Sequence, residues 1–219
     1  MALLAGIEFH FDLDFHEVPL QEAEQYLKGL TSKYANLIFD QQPEVHARLE
    51  DGSLKVTLAV IGALYIGIGQ YGSFRSGIDY MIKDAKSLKE LVTSEIVKNG
   101  MNEADIIESK KCHCDPDKIR RVLIAIDRIE SNRNLPKSAL KKELSKIRTS
   151  VRNICGSLTD EDAGLFAISI NDIYWPQDRD IPYFVERYKL VDREEDILHY
   201  PVANIEEPRV IKALQRTSR

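Results

Sequence analysis

Apolar and polar residues alternate strictly near the start of the chain, between residues 6 and 16. Every second position is apolar, and the positions between them carry histidine or an acidic residue. Successive side chains of a β-strand point to opposite faces, so the pattern predicts a strand with one buried face. The predicted buried residues are Ile7, Phe9, Phe11, Leu13 and Phe15.

Two longer segments repeat their apolar residues at the spacing of a helix. The first begins at Pro19, a residue that the first turn of a helix accepts, and continues to Ile38. Its predicted apolar side is Leu20, Ala23, Leu27, Leu30, Tyr34, Leu37 and Ile38. The second runs from about Phe74 to Lys98. Its predicted apolar side is Ile78, Met81, Ile82, Ala85, Leu88, Leu91, Val92 and Ile96.

The segment between these helices predicts a β-hairpin. Asp51-Gly52 suits the two central positions of a type I′ turn, which both need positive φ. With that turn, Leu49 faces Leu54 and Val45 faces Leu58, so apolar residues oppose apolar ones. The first hundred residues therefore read β-α-β-β-α, a two-layer unit in which both helices cover one face of a three-stranded sheet.

The second half of the chain reads as mainly helical. Asp115-Pro116 predicts the start of one helix, and a second helix should end near Cys155-Gly156, which together make a helical hairpin. After Thr159 the pattern is mixed: "GLFAISINDIYW" fits a helix or a strand, "YFVERYKLV" a strand and "EEPRVIKALQR" a short helix. The predicted class is α+β, with one domain at 1–100 and a second at 101–219.

Charge is unevenly distributed along the sequence. The whole chain has a formal charge of −5, whereas residues 109–155 carry +8 and the remainder −13. Such a basic block indicates a local anionic partner, such as nucleic acid, or an intramolecular contact with the acidic C-terminal third. The predicted anion-binding residues are Arg120, Arg121, Lys141, Lys142 and Arg148.

The three cysteines indicate a reducing compartment. They are few and odd in number, and the opening residues lack the basic start of a secretory signal, so we expect free thiols in the cytoplasm. We predict no cofactor and no tightly bound metal. If a metal binds, one candidate set is Cys112, His113, Cys114 and Cys155, because the ends of a helical hairpin lie together.

A second candidate metal set lies on the polar face of the first strand. His10, Asp12, Asp14 and His16 point to the same side, and residues two apart on a strand are about 7 Å apart, close enough to chelate one ion. His46 and Arg48 of the hairpin are expected on that face too. The alternatives are a solvated polar face and a protein-binding face.

The stretch "YIGIGQYGSFRSG" permits three interpretations. Its Gly-x-Gly-x-x-Gly spacing resembles a nucleotide-binding turn, but no strand follows the next helix, as that turn requires. Residues 56–74 carry no charge over 19 positions, close to the length of a membrane-spanning helix. We favour a tightly packed helix entry, in which Gly69, Ser73 and Gly77 form a contact with a partner or a second copy.

No catalytic arrangement is apparent in the sequence. The favoured hypothesis is a non-enzymatic cytoplasmic interaction or regulatory protein that works through protein–protein contacts, including self-association. A membrane-acting effector that inserts residues 56–74 is the first alternative. A nucleic-acid or nucleotide binder that uses residues 109–155 is the second.

Overall fold

The computed structural model describes residues 1–12, 20–39, 41–50, 54–69, 73–132 and 135–176. The chain forms two compact units, Met1–Lys118 and Ile119–Arg219. The first unit holds an antiparallel sheet and its covering helices, and the second is helical in its described part. The predicted α+β class is confirmed.

Four strands form the sheet of the first unit, in the order β2-β3-β1-β4, and all neighbours are antiparallel. The strands are β1 (Ala2–Phe11), β2 (Glu44–Glu50), β3 (Leu54–Gly62) and β4 (Ile106–Cys112). The predicted number of three strands is therefore wrong, because β4 pairs with the second edge of β1. Its sequence, IIESKKC, lacks the alternation on which the prediction depended.

β1 lies in the middle of the sheet and contributes to its core. Ile7, Phe9 and Phe11 are buried as predicted, and the rings of Phe9 and Phe11 stack with centroids 5.5 Å apart. The strand begins at Ala2, earlier than the alternation indicated. Residues 13–16, which the sequence placed in this strand, lie outside the described residues.

β2 and β3 form the predicted hairpin, but in a register that differs by two residues. Val45 pairs with Val60, whereas a turn centred on Asp51-Gly52 would pair Val45 with Leu58. A shift of two keeps every side chain on its own face, so apolar residues still oppose apolar ones. Alternation therefore fixes the face that a strand buries but not its register.

Helices cover one face of the sheet, as predicted. α1 (Leu20–Ile38) packs on β2 and β3. The short helix α2 (Leu64–Gly69) follows β3. α3 (Phe74–Lys98) packs on β1 and β4, and α1 and α3 contact each other. Two leucines predicted to be buried lie outside the packed stripes: Leu37 is 72% exposed and Leu91 is 42% exposed. Asn99 and Gly100 end α3 as expected, and Gly100 has the positive φ of +106° that favours glycine.

The described helices of the second unit are α4 (Asp115–Ser131), α5 (Lys137–Ser157) and α6 (Asp160–Ile168). The first turn of α4 belongs to the first unit, since the boundary between units falls after Lys118. The core of the second unit includes Val151 of α5 and Phe166 of α6, both fully buried. The elements predicted beyond residue 176 lie outside the described residues.

Candidate interaction site at an edge of the sheet

β4 forms one edge of the sheet, and no described strand pairs with its outer side. Its residues are only partly covered: Ile107 is 57% exposed, and the side chains of Glu108 and Lys110 are 54% and 47% exposed. The pairing with β1 shifts register next to Ile107, which marks a bulge at this end of β4. β4 therefore presents backbone hydrogen-bonding groups and one exposed aliphatic side chain to solvent.

Polar contacts hold β4 against α3. Lys89 Nζ donates to the carbonyl oxygen of Ser109 at 3.2 Å, and the hydroxyls of Thr93 and Ser109 lie 3.3 Å apart. Thr93 also donates to the Lys89 carbonyl at 2.8 Å, a normal position for a helical threonine. Hydrogen bonds from Lys89 and between Thr93 and Ser109 thus contribute to the contact between α3 and β4.

An ion-pair cluster joins β4 to β1 and β3 on the opposite face. The Glu8 carboxylate accepts from Lys110 at 2.7 Å and lies 3.4 Å from Lys55. The hydrogen bond from Lys110 lowers the pKa of Glu8, against the effect of burial, and Lys55 adds to the lowering. The same bond raises the pKa of Lys110. Lys110 is also 3.6 Å from Glu108, so this lysine forms ion pairs with two carboxylates.

The start of α4 fixes the other end of β4. Asp117 accepts from Lys111 Nζ at 2.6 Å, from the backbone N–H of Cys114 at 3.1 Å and from the Cys114 thiol at 2.9 Å. Burial alone would raise the pKa of Asp117, but these hydrogen bonds outweigh it and lower the pKa. Burial, together with the bond to Asp117, raises the pKa of Cys114 to about 12, so its thiol stays protonated and unreactive at neutral pH.

A second aspartate ties this helix start to β1. Asp115 is 4% exposed; one of its carboxylate oxygens accepts from the backbone N–H of Leu3 at 2.7 Å and the other from Lys118 Nζ at 2.7 Å. A buried carboxylate with hydrogen-bonded partners is tolerated, and two acidic residues in the first turn suit the helix dipole. These contacts make the β4–α4 junction a fixed part of the first unit.

A groove of about 540 Å³ runs between α3 and β4 on the helix-covered side of the sheet edge. Its lining combines hydroxyl groups, two apolar side chains and charges of both signs. The uncharged lining residues are Thr93, Ser94, Val97, Ile106 and Ser109. A groove beside an open edge strand is the setting in which an extended peptide adds to a sheet.

The predicted polar face exists, and part of it is described. Glu8 pairs across the sheet with Thr57, which pairs with Arg48, so Arg48 lies on the face of β1 that carries His10. His46 lies on this face as well, and Asp12 follows the end of β1 and is exposed. Asp14 and His16 lie outside the described residues.

The predicted thiol cluster is divided between the two units. Cys112 and His113 lie at the end of β4, Cys114 begins the junction with α4, and Cys155 belongs to the second unit. None of the three cysteines forms a disulfide. Across the described ranges, no group of three or more histidine, cysteine or acidic side chains is placed to hold a metal ion.

The glycine stretch forms a short helix followed by a capped long one. Gly69 ends α2 (Leu64–Gly69), and the Ser73 hydroxyl accepts from the N–H of Ser76 as the N-cap of α3. Gly77 packs against Ile68, where an added Cβ would lie 3.0 Å from the Ile68 Cα. This close contact within the chain is the packed helix entry that the sequence favoured. A partner contact at Gly69, Ser73 and Gly77 stays a prediction.

The described residues of the uncharged segment 56–74 belong to β3, to α2 and to the start of α3. The first part of the segment belongs to β3, where Val56, Leu58 and Val60 are fully buried, and its middle forms α2. None of the helices in the described part of the chain has the length and apolarity needed to cross a membrane. Insertion of residues 56–74 as one helix would require β3 to leave the sheet.

The predicted anion-binding residues differ in their surroundings. Arg148 Nε donates to the Ile173 carbonyl at 2.9 Å. Arg120 and Arg121 are exposed and already interact within the protein. Lys141 and Lys142 are exposed on α5. The structure therefore leaves the two lysines as the more available members of the basic block.

Sequence reasoning missed the β4 edge because that strand carries no hydrophobic pattern. The available signal was indirect: the strand predicted at residues 6–16 is almost wholly apolar on one face, which suits a strand with neighbours on both sides. In the predicted three-stranded sheet β1 pairs only with β3, so its other edge has no partner. Residues 101–114, between two well-defined helices, were the nearest unassigned segment.

Comparisons with known proteins point to no relative of this chain. A scan against models of known protein families, a search of curated proteins and a search of solved structures each found no match. Function is therefore inferred from the chain's own residues.

Proposed function

We propose that the protein is a non-enzymatic interaction protein of the cytoplasm that binds a protein partner through the outer edge of β4. The observation that carries this proposal is the state of that edge. It is a seven-residue strand with an exposed aliphatic side chain at Ile107, bordered by the α3–β4 groove. Exposed strand edges bind extended peptide segments through their free N–H and carbonyl groups.

The groove defines what such a segment should look like. Side chains of an added strand alternate, so every second one points into the groove. There they meet the hydroxyls of Thr93, Ser94 and Ser109 and the apolar side chains of Val97 and Ile106. We expect small apolar or hydroxyl-bearing side chains at those positions, since a large charged group would lose water without gaining a matched ion pair.

The cytoplasmic location rests on the thiols. Cys114 is fully buried as a protonated thiol that donates to Asp117, and none of the three cysteines forms a disulfide. Proteins that fold in oxidising compartments more often pair their cysteines, so free thiols favour a reducing compartment.

The test is site-specific photo-crosslinking in cells of the native source. A photoreactive phenylalanine derivative replaces Ile107 in one variant and His46, on the opposite sheet edge, in another. We expect crosslinks from position 107 to map to one extended segment of a partner. A synthetic peptide of that segment should then bind the purified chain and protect the β4 amides from hydrogen exchange.

Matched surface variants control for loss of apolar surface in general. Ile107→Lys should abolish the crosslink, whereas Leu37→Lys, which changes a more exposed aliphatic residue on α1, should leave it intact. Equal crosslinking from positions 107 and 46, or a mapped partner whose peptide leaves β4 exchange unchanged, would contradict the proposal.

Nucleic-acid binding through the basic block is the second candidate. It is supported by Lys141 and Lys142, which are exposed one after the other on α5. Phosphate contacts of this kind give affinities that fall as salt rises. We expect fluorescence anisotropy to show weak, salt-sensitive binding of a duplex, lost in Lys141→Glu/Lys142→Glu. The absence of binding at low salt would remove this candidate.

A further inference from the structure

We propose that the partner strand at β4 is β4 of a second copy of this chain, paired antiparallel about a two-fold axis at Ser109. This inference rests on the proposed function and adds the identity of the partner. Two copies joined in this way would form one continuous antiparallel sheet of eight strands. A two-fold contact of this type uses the same surface on both copies and closes after one pairing.

Charge complementarity selects the register. With the axis at Ser109, Glu108 of each copy faces Lys110 of the other, which gives two opposite-charge pairs on the same face of the sheet. An axis one position away places Glu108 against Glu108 or Lys110 against Lys110. Opposite charges directly across an antiparallel ladder stabilise it, and like charges destabilise it. Of these three registers, the one centred on Ser109 is complementary.

The lysines of β4 do not protect the edge in the usual way. Free lysines on an edge strand normally repel a second strand. Here Lys110 binds Glu8 at 2.7 Å, and Lys111 binds Asp117 at 2.6 Å with only 19% of its side chain exposed. Each lysine is therefore partly compensated by a carboxylate of its own chain. Lys110 and Glu108, 3.6 Å apart within the chain, are still 47% and 54% exposed, which leaves both side chains surface to face a second copy.

The exposed aliphatic side chain lies within the same contact. Ile107 would face the stem of Lys111 from the other copy, which covers part of its apolar surface. The bulge next to Ile107 keeps the regular pairing short. We therefore expect a weak dimer, with a dissociation constant of tens of micromolar or above, formed at high local concentration.

The test is sedimentation equilibrium of the full chain from ~1 µM to about 1 mM, a range that covers the expected dissociation constant. The wild type should change from monomer to dimer. Glu108→Lys, which places lysine against lysine twice, should raise the dissociation constant at least about tenfold. Glu44→Lys is the matched control: it makes the same charge change on the β2 edge at a similarly exposed site, 57%, and should dimerise like the wild type.

A charge exchange separates a direct contact from a loss of folding. Lys110→Glu should also be monomeric, and it places a second carboxylate beside Glu8. An equimolar mixture of Glu108→Lys and Lys110→Glu should form a heterodimer, because every facing pair is then opposite in charge. The double variant Glu108→Lys/Lys110→Glu should dimerise with itself.

Three results would overturn the inference: a wild type that stays monomeric up to the highest concentration, a Glu108→Lys protein that dimerises like the wild type, or a Glu44→Lys protein that does not dimerise. If the wild type is monomeric but the crosslink from position 107 maps to a different protein, self-pairing fails and the proposed function stands. If position 107 yields no specific crosslink and the wild type is also monomeric, both fail.

Discussion

β2 and β4 are the two edge strands of the sheet, and each has seven residues. Different interactions hold them in place. β2 lies under α1, with Val45 buried and Leu49 half-buried on the covered face. β4 has an exposed apolar residue, Ile107, and is held by ion pairs and hydrogen bonds to Glu8, Lys89 and Asp117.

This difference explains how an edge can be ordered and available at once. A strand fixed by a buried apolar face offers little unburied surface, and its stability comes from desolvation. A strand held by polar groups at its ends and flanks needs less apolar burial, so it can leave an apolar side chain such as Ile107 exposed to contact another chain. In this unit the polar anchors are Glu8, Lys89 and Asp117, and no described strand pairs with the outer side of β4.

The largest effect should come from the strand that both edges share. Phe9 is fully buried in β1 and stacks on Phe11, so Phe9→Ala removes a ring from the core and should cost about 3–5 kcal/mol of unfolding free energy. Urea unfolding measures the cost. Hydrogen exchange should show β2 and β4 losing protection together. Loss confined to one edge would show that β1 does not couple them.

Matched truncations at the two edges should differ clearly. Val45→Ala opens space beneath α1 and should cost about 2 kcal/mol of unfolding free energy. Ile107→Ala changes a 57% exposed side chain and should cost no more than about 0.5 kcal/mol in the monomer. Both are read from urea midpoints in dilute protein. Equal costs would mean that β4 depends on apolar burial as β2 does.

The helices above the two edges offer a smaller comparison between two threonines. Thr31 on α1 is fully buried, and its hydroxyl has no hydrogen-bond partner among the described residues. Thr31→Val should therefore raise the unfolding free energy by about 1 kcal/mol. On α3, Thr93→Val breaks hydrogen bonds to Lys89 and Ser109 and should not stabilise. A stabilising Thr93→Val would show that these bonds do not anchor β4.

The smallest predicted effect is on the unfolding free energy at low pH. Hydrogen bonds lower the folded pKa of Asp117 below its unfolded value near 4, so this carboxylate stabilises the fold above pH ~4. That contribution is lost as the pH falls through the folded pKa. Unfolding free energy measured from pH 6 to pH 2 should therefore fall less steeply in Asp117→Asn than in the wild type. Parallel profiles would mean that Asp117 does not secure β4 through its charge.

The sequence predicts those parts of the fold in which burial leaves a periodic pattern. The strand around Phe9, the helix from Phe74 to Lys98 and the hairpin after Glu44 were identifiable because one face of each is apolar. The hairpin register was not, since a shift of two residues preserves every face. β4 was not identifiable either, because the sequence of a polar edge strand has no apolar pattern. Only its pairing with β1 reveals it as a strand. The proposed site lies on that strand, so no pattern in the sequence points to it directly.

We propose that the β4 edge, and not the β2 edge, receives another strand. Hydrogen exchange of the full chain tests it most directly, with peptides covering residues 106–112 and 44–50 followed at low and high protein concentration. We expect amides in 106–112 to exchange more slowly as the protein concentration rises, while those in 44–50 do not change. Slower exchange in 44–50, or no change in 106–112 with concentration or with a mapped partner peptide, would contradict it.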